Sequence, residues 1–279
     1  IENWDNKVLC EFGKEGWTCG GLAREISVLH RVWAKAGLKK GEMVAVNARS
    51  SSNWASTFMA SVTGGYVSVQ LFNGFTPSDI QSLTNHSESR ILYTEKDIFG
   101  NMDFDSMPNL IAAIDIHSQT VLASRNGFAE LYEARYDDFD RAYPTFSKED
   151  FKPVISGMDD ICAIMYTSGS TGNPKGVMLQ VRNFSANVEL VKMAFPMYPG
   201  ENHLTVLPFA HIFGLTVDML TPLCIGMSLC VLALPPIPRT LSEAFTSLHP
   251  RAFFAVPLIL SKFAEYSLGS VINTEEGRE

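Results

Sequence analysis

The sequence lacks the features that mark several classes of protein. Acidic residues outnumber basic ones, 30 Asp and Glu against 22 Lys and Arg, and the net charge is −8. This balance leaves no basic face of the kind that nucleic acids require. No run of like charges is long enough to form an interaction tail, and no repeat or low-complexity segment occurs. We therefore expect a folded protein that binds no nucleic acid.

Cysteine is scarce, and its five positions follow neither a metal-binding nor a disulfide pattern. Cys224 and Cys230 are too far apart for a zinc knuckle, and Cys10, Cys19 and Cys162 each stand alone. An odd number of cysteines without a framework predicts reduced, mostly buried thiols in a cytoplasmic protein.

Long hydrophobic runs are also missing. The uncharged stretch from Met219 to Leu234 has 16 residues, is interrupted by Pro222 and Gly226, and is short for a bilayer. We interpret it as a buried helix end followed by a core strand. The polar and acidic start, Ile1 to Asp5, predicts no secretory leader. We expect no integral membrane span, and a peripheral membrane contact is compatible with this prediction.

The chain does contain enough apolar residues for a substantial core, 46% of 279. Apolar strand-like segments alternate with helix-like ones, which predicts mostly parallel sheets covered by helices on both faces. We expect an α/β fold of two stacked αβα lobes. Residues 1–150 would form a first subdomain and residues 151–279 a second, partial one. Residues 118–153 are weakly periodic and charged, and we expect a peripheral helix and loops there.

The most informative segment is a loop between two expected strands, Ile161–Met165 and Gly176–Leu179. It concentrates glycines, aliphatic hydroxyls and Lys175 in one turn. Glycines allow backbone N–H groups to point at an anion, hydroxyls donate further hydrogen bonds, and an ammonium neutralises charge. The loop therefore has the composition of a polyphosphate-binding site.

Three better-known motifs do not fit this loop. A Walker-type loop needs glycine directly before its lysine and Ser or Thr directly after it, whereas Pro174 and Gly176 flank Lys175. No Gly-x-Gly-x-x-Gly dinucleotide motif follows any expected strand. The hydrolase motif Gly-x-Ser-x-Gly is absent, because Ser168 occupies the first glycine position before Ser170. We conclude that this is a phosphate loop of another kind.

The segment Tyr166–Leu179 resembles the signature loop of the adenylate-forming superfamily, which includes acyl-CoA synthetases, luciferases and adenylation domains of nonribosomal peptide synthetases. A second segment, Leu207–Leu215, resembles the next motif of that superfamily. The likeness covers essentially the whole chain. The segments Asn3–Glu25 and Asn85–Glu88 look most like bacterial long-chain fatty acid–CoA ligases.

This resemblance implies a reaction in two halves. A carboxylate attacks the α-phosphate of ATP, giving an acyl-adenylate and pyrophosphate, and coenzyme A then forms the thioester. The implied cofactors and partners are ATP, Mg²⁺, coenzyme A, and a fatty acid or other small carboxylic acid. Lys175 would neutralise phosphate charge as a catalytic group, and Thr167 would also contribute its hydroxyl to the Mg²⁺ shell. The implied nucleotide-binding residues are Thr167, Ser168, Gly169, Ser170, Thr171, Gly172 and Lys175.

His211 is the second implied catalytic residue. Its ring would form a wall of the acid pocket beside the carboxylate, with Phe209, Phe213 and Leu215 supplying apolar surface. The alternative is a histidine that caps the helix expected at His211–Ile225 or lies satisfied in the core.

The resemblance also predicts motifs that are missing from the 279 residues. The sequence has no Tyr-Gly-x-Thr-Glu segment, no ribose-binding aspartate after it and no lid domain with a catalytic lysine. We therefore expect an amino-terminal fragment of an ATP-dependent fatty acid–CoA ligase that is inactive alone. Two alternatives stay open: adenylation of an aryl or amino acid, and a non-catalytic nucleotide-binding module of the same fold.

Overall fold

The computed structural model describes residues 4–154, 157–167 and 174–272. Strands in these ranges are β1 (Lys7–Glu11), β2 (Trp17–Thr18), β3 (Met43–Asn47), β4 (Val67–Gln70), β5 (Ile91–Thr94), β6 (Ala112–Asp115), β7 (Val121–Ser124), β8 (Ile161–Thr167), β9 (Lys175–Gln180), β10 (Asn202–Thr205), β11 (Ser228–Val231) and β12 (Ala252–Phe253). Helices are α1 (Cys19–Lys35), α2 (Ser52–Thr63), α3 (Pro77–His86), α4 (Lys96–Phe99), α5 (Phe128–Glu133), α6 (Arg135–Ala142), α7 (Val181–Ala194), α8 (Thr221–Ile225), α9 (Pro238–Leu248) and α10 (Pro257–Ile272). A 3-10 turn at Lys148–Asp150 and a π-helix at Gly214–Leu220 are also present.

The described strands form two mostly parallel sheets. The larger has the order β7-β6-β5-β3-β4-β8-β9, with antiparallel pairing at its two edges, β6 with β7 and β8 with β9. The smaller has the order β12-β10-β11-β1-β2, in which β1 and β2 are antiparallel. The predicted α/β fold with mostly parallel sheets is confirmed.

Each sheet draws strands from both sides of residue 150. β8 and β9 extend the larger sheet beside β4, and β1 pairs with β11 in the smaller sheet. One core cluster includes Leu9 and Val231 from the smaller sheet together with Val44 and Val46 from the larger one. The proposed subdomains 1–150 and 151–279 stay a prediction. Each sheet combines strands from both of these halves.

Helix α1 shows how local sequence positions these elements. Leu22, Ile26, Leu29 and Trp33 recur at three- and four-residue intervals, and all are buried against the core. The Thr18 hydroxyl accepts a hydrogen bond from the Gly21 amide at 3.0 Å and so caps the helix start. The apolar stripe therefore fixes which face of α1 covers the sheets.

Two sequence expectations need correction. Residues 118–153 contain helices α5 and α6 as expected, but also strand β7, which pairs antiparallel with β6. The helix expected at His211–Ile225 begins one residue later, at Ile212, and is a π-helix over Gly214–Leu220 before it continues as α8. Hydrogen bonds from the Thr221 amide and hydroxyl to the Thr216 carbonyl, five residues back, give the π geometry.

The uncharged stretch Met219–Leu234 has the predicted character. It contains the end of the π-helix, α8 and the core strand β11, whose Leu229, Cys230 and Val231 are buried. Among the described residues, no helix has the length and apolar character that crossing a membrane demands.

The buried carboxylate of Asp218, on the π-helix, holds the end of β10. One oxygen, Oδ1, lies 2.6 Å from His203 Nε2. The other accepts hydrogen bonds from the Thr205 hydroxyl and from the amides of Val206 (3.2 Å) and Leu207 (3.1 Å). Asp218 and His203 are both fully buried. The chain therefore leaves β10 in a direction set by one acidic side chain.

We expect Asp218→Asn to lower the free energy of unfolding by about 2–4 kcal/mol, because the amide removes the charge and directs an N–H group at buried donors. Asp105→Asn is the control, since that side chain is 96% exposed. It should change stability by less than about 0.5 kcal/mol. Urea unfolding followed by tryptophan fluorescence measures both. Superimposable curves for the two variants would contradict the role of Asp218.

Candidate functional site

The hairpin of β8 and β9 places the two ends of the predicted phosphate loop side by side. Thr167 lies directly opposite Lys175 in the register, and Met165 lies opposite Val177. Directly opposite residues point to the same face of a sheet, as do residues two apart on a strand. Thr167 and Lys175 are both exposed. The hydroxyl and the ammonium therefore stand together at the mouth of the loop.

The remaining predicted nucleotide-binding residues lie outside the described residues; they are Ser168, Gly169, Ser170, Thr171 and Gly172.

A cleft of about 490 Å³ adjoins this mouth. Its volume is within the usual range of small-molecule sites, about 300–1,000 Å³. Its described lining is mostly apolar: Phe72, Phe75, Met165, Tyr166, Thr167, Val177, Leu179, Ala210, His211 and Ile212. The cleft therefore suits a molecule with an apolar body and a polar end directed at Thr167.

His211 also lines the cleft, where it lies beside Phe72. Its ring meets the Phe72 ring edge to face, with centroids 6.4 Å apart. The side chain is exposed to the cleft and to solvent, so the core-histidine alternative does not describe it. Its amide donates to the Pro208 carbonyl at 3.0 Å, and its carbonyl accepts from the Leu215 amide at 2.8 Å. His211 therefore sits in a turn immediately before the helical segment.

Two contacts fix this turn. The Ser50 hydroxyl donates to the Leu207 carbonyl at 3.2 Å and accepts from the Phe209 amide at 2.9 Å. Gly214 is packed so closely on Pro208 that any Cβ would clash with the Pro208 backbone. Glycine is therefore required at this position for the wall of the cleft to adopt its shape.

The apolar residues expected around His211 lie elsewhere. Phe209 is buried against Trp54, with ring centroids 5.3 Å apart, and Leu215 is in the core. Phe213 is 53% exposed and is not part of the described lining. The motif spacing alone does not distinguish these core positions from cleft positions.

The cleft is instead lined by residues that sequence reasoning did not select. Phe72 and Phe75 follow the carboxyl end of β4, and Val177 and Leu179 occupy alternate positions of β9. The alternation of Val177 and Leu179 directly after the loop was a usable signal. Nothing local to Phe72 indicates that β4 lies beside β8.

Tyr166 faces the other side of the hairpin. Its hydroxyl is 2.6 Å from Nδ1 of His86 on α3, and the two rings meet edge to face. Burial raises the pKa of Tyr166, so the phenol stays neutral. The contact anchors the end of β8 to α3, which holds Thr167 at the loop mouth.

The predicted metal ligand, Thr167, offers one hydroxyl oxygen, a hard donor that suits Mg²⁺. Within residues 4–154, 157–167 and 174–272, no group of three or more His, Cys, Asp or Glu side chains could hold a metal ion. Mg²⁺ at Thr167 would thus need phosphate oxygens of a bound nucleotide, a common arrangement for this ion.

Known proteins similar to this chain act on different acids. A sulfoacetate–CoA ligase of Cupriavidus necator is 29% identical over 218 residues, 76% of this chain and 38% of that protein. Fatty acyl-CoA synthetase A of Dictyostelium discoideum is 28% identical over 190 residues, 63% of this chain and 26% of that protein. The chain therefore spans less than half the length of these relatives.

Solved structures agree on the fold. The inhibitor-bound N-terminal domain of FACL13 from Mycobacterium tuberculosis superimposes with a TM-score of 0.77 at 18% identity, covering 99% of this chain and 65% of that one. The sequence matches the AMP-binding enzyme family over residues 1–275. The chain belongs to the AMP-binding enzyme family, and its α/β fold is that of the N-terminal domain of adenylate-forming enzymes.

Proposed function

We propose that this chain is the amino-terminal part of an ATP-dependent acid–CoA ligase. The complete protein would activate a carboxylic acid as acyl-AMP with release of pyrophosphate, and would then form the CoA thioester. The observation that carries this proposal is the placement of Thr167 and Lys175 in register at the loop mouth, beside an apolar cleft that His211 also lines.

The chemical task is to bring two anions together and to stabilise the charge that moves onto the leaving pyrophosphate. Lys175 would pair with phosphate as a mobile point charge, and the hydroxyl of Thr167 would donate to phosphate or join the Mg²⁺ shell. The loop residues Ser168–Gly172 would donate hydrogen bonds to the β- and γ-phosphates. Mg²⁺, when bound, supplies further neutralisation of phosphate charge.

His211 would orient the acid. Its side chain lines the same cleft as Thr167, so an acid bound there would contact the imidazole and have its carboxylate near the phosphate loop.

The apolar lining supports an acid with an apolar body, and we propose a fatty acid. Aryl and amino acids remain as alternatives, because relatives within the family use acids as different as sulfoacetate and fatty acids by name. A non-catalytic module is disfavoured by the retention of Thr167 and Lys175 at the loop mouth. We propose a cytoplasmic location, which five free cysteines support.

The activity can be tested by ATP–pyrophosphate exchange. We expect the full-length protein to catalyse exchange with fatty acids, and the 279-residue chain to give none, because the implied adenine, ribose and lid residues are absent from it. A panel of fatty, aryl and amino acids distinguishes the acid classes. Robust exchange by the 279 residues would refute the expected inactivity, and no exchange by the full-length protein with any acid would refute the ligase.

The role of Lys175 predicts weaker phosphate binding on its removal. In the full-length protein, Lys175→Ala should weaken Mg²⁺–pyrophosphate binding about tenfold or more, since roughly 1.4 kcal/mol of charge pairing corresponds to that factor. Lys39→Ala, at an exposed position outside the cleft lining, is the matched control and should bind unchanged. Calorimetric titration gives both dissociation constants. Equal constants would remove Lys175 from the site.

The cleft predicts a size limit on the acid. Val177→Trp should fill the cleft from β9 and lower kcat/KM for a long-chain acid about tenfold or more relative to acetate, by steric exclusion. Met178→Trp is the control, because Met178 is 64% exposed and points to the opposite face of the same strand. Thioester formation by the full-length variants measures this ratio. Identical ratios for the two variants would place the acid elsewhere.

A further inference from the structure

Two cysteines occupy directly adjacent positions in the smaller sheet. Cys10 on β1 and Cys230 on β11 are partners in the parallel register. Neighbouring strands lie about 4.7–4.9 Å apart, which falls within the about 4.4–6.8 Å between Cα atoms that disulfides span. Register partners on parallel strands direct their side chains to the same face. The backbone therefore brings two thiols to bonding range, although 219 residues separate them in the sequence.

The Cys10 thiol is more accessible to solvent than the Cys230 thiol. Cys230 is 2% exposed, whereas Cys10 is half-buried. Gly16 lies against Cys10, and a Cβ at that position would come within 2.6 Å of the Cys10 Cβ. The missing side chain at Gly16 allows the β1–β2 turn to pack against the Cys10 backbone and Cβ. A small reagent would therefore meet Cys10 before Cys230.

The two thiols also shift each other's pKa. The neighbouring Cys230 thiol is the largest influence that lowers the pKa of Cys10; burial opposes it, and the positive charge of Lys7 adds to it. The Cys10 thiol, together with burial, raises the pKa of Cys230. Cys10 is thus the nucleophile of the pair, and Cys230 is the thiol that resolves it.

We propose that Cys10 and Cys230 are a reversible thiol–disulfide site that low-molecular-weight disulfides oxidise. The Cys10 thiolate attacks one sulfur of glutathione disulfide, forming a mixed disulfide and releasing one glutathione thiolate. Cys230 loses its proton and attacks the Cys10 sulfur, releasing the second glutathione. Two protein thiols are oxidised, and one glutathione disulfide is reduced to two glutathione molecules.

The other cysteines do not share this geometry. Cys162 is buried, and burial raises its pKa to about 11, which leaves little thiolate. Cys19 begins α1 and Cys224 lies on α8. Among the described strand pairings, Cys10 with Cys230 is the one that joins two cysteines. The oxidation is therefore expected at a single pair.

The experiment counts thiols after oxidation and requires no substrate, so its result is separate from that of the proposed ligase activity. The protein is equilibrated with mixtures of reduced and oxidised glutathione, quenched in acid, and alkylated with a maleimide in denaturant. Of the five cysteines, three rather than five should carry maleimide in the oxidised wild type. Intact mass spectrometry measures the number, and a digest without reduction should contain the Cys10 peptide joined to the Cys230 peptide.

Cys19→Ser is the matched control and should still lose two reactive thiols. Cys230→Ala should form no internal disulfide, and its Cys10 should instead accumulate bound glutathione. The digest of the wild type decides the pairing even where Cys230→Ala folds poorly. Retention of five maleimides at every glutathione ratio, glutathione trapped on Cys10 of the wild type, or a cross-link to another cysteine would overturn the proposal.

Discussion

The shape of the apolar cleft depends on the path of the chain after β10, and the carboxylate of Asp218 fixes this path. Removing a carboxylate from water costs several kcal/mol, which is offset only when the interior supplies hydrogen bonds. Here two backbone amides, a hydroxyl and an imidazole nitrogen surround it. Because two of these donors are the amides of Val206 and Leu207, the same bonds that satisfy the carboxylate also fix the backbone immediately before Pro208. The contact of Asp218 with these amides therefore helps to position the cleft wall that carries His211.

The π-helix belongs to the same arrangement. Its bonds span five residues rather than four, so it is wider than an α-helix and presents its side chains at different angles. Asp218 lies within it and contacts β10, while Gly214 at its start contacts Pro208. The same helix also holds the other end of this turn, because the Leu215 amide donates to the His211 carbonyl at 2.8 Å. The irregular geometry therefore positions the cleft wall.

The loop mouth and the apolar cleft meet because parallel strands end at the same edge of a sheet. β4 and β8 are parallel neighbours, so Phe72 after β4 and Thr167 at the end of β8 lie at one edge. Ligands of open α/β sheets commonly bind outside the carboxyl ends of strands. An apolar acid body against Phe72 would place its carboxylate toward Thr167 and Lys175. The sheet topology therefore places the apolar cleft beside the loop mouth.

The sequence predicted the local elements well because periodicity and capping are local. The expected strands Ile161–Met165 and Gly176–Leu179 are β8 and β9, which extend only one or two residues further. Strand β7 was missed because its residues are only half-buried, which leaves a weak pattern. The combination of strands from both halves of the chain in each sheet and the burial of Asp218 could not be predicted, since both depend on partners distant in the sequence.

Those long-range partners also connect the cysteine pair to the cleft. Glu11, next to Cys10, accepts hydrogen bonds from the Ser52 amide and hydroxyl at 3.1 and 3.0 Å. Ser50, two residues before Ser52, bonds to the turn that carries His211. A disulfide between β1 and β11 would therefore constrain Cys10, and the residue after it, Glu11, is the one that holds the start of α2. Because the loop before α2 holds the cleft wall, the oxidation state of the thiols and the shape of the acid site share one short series of contacts.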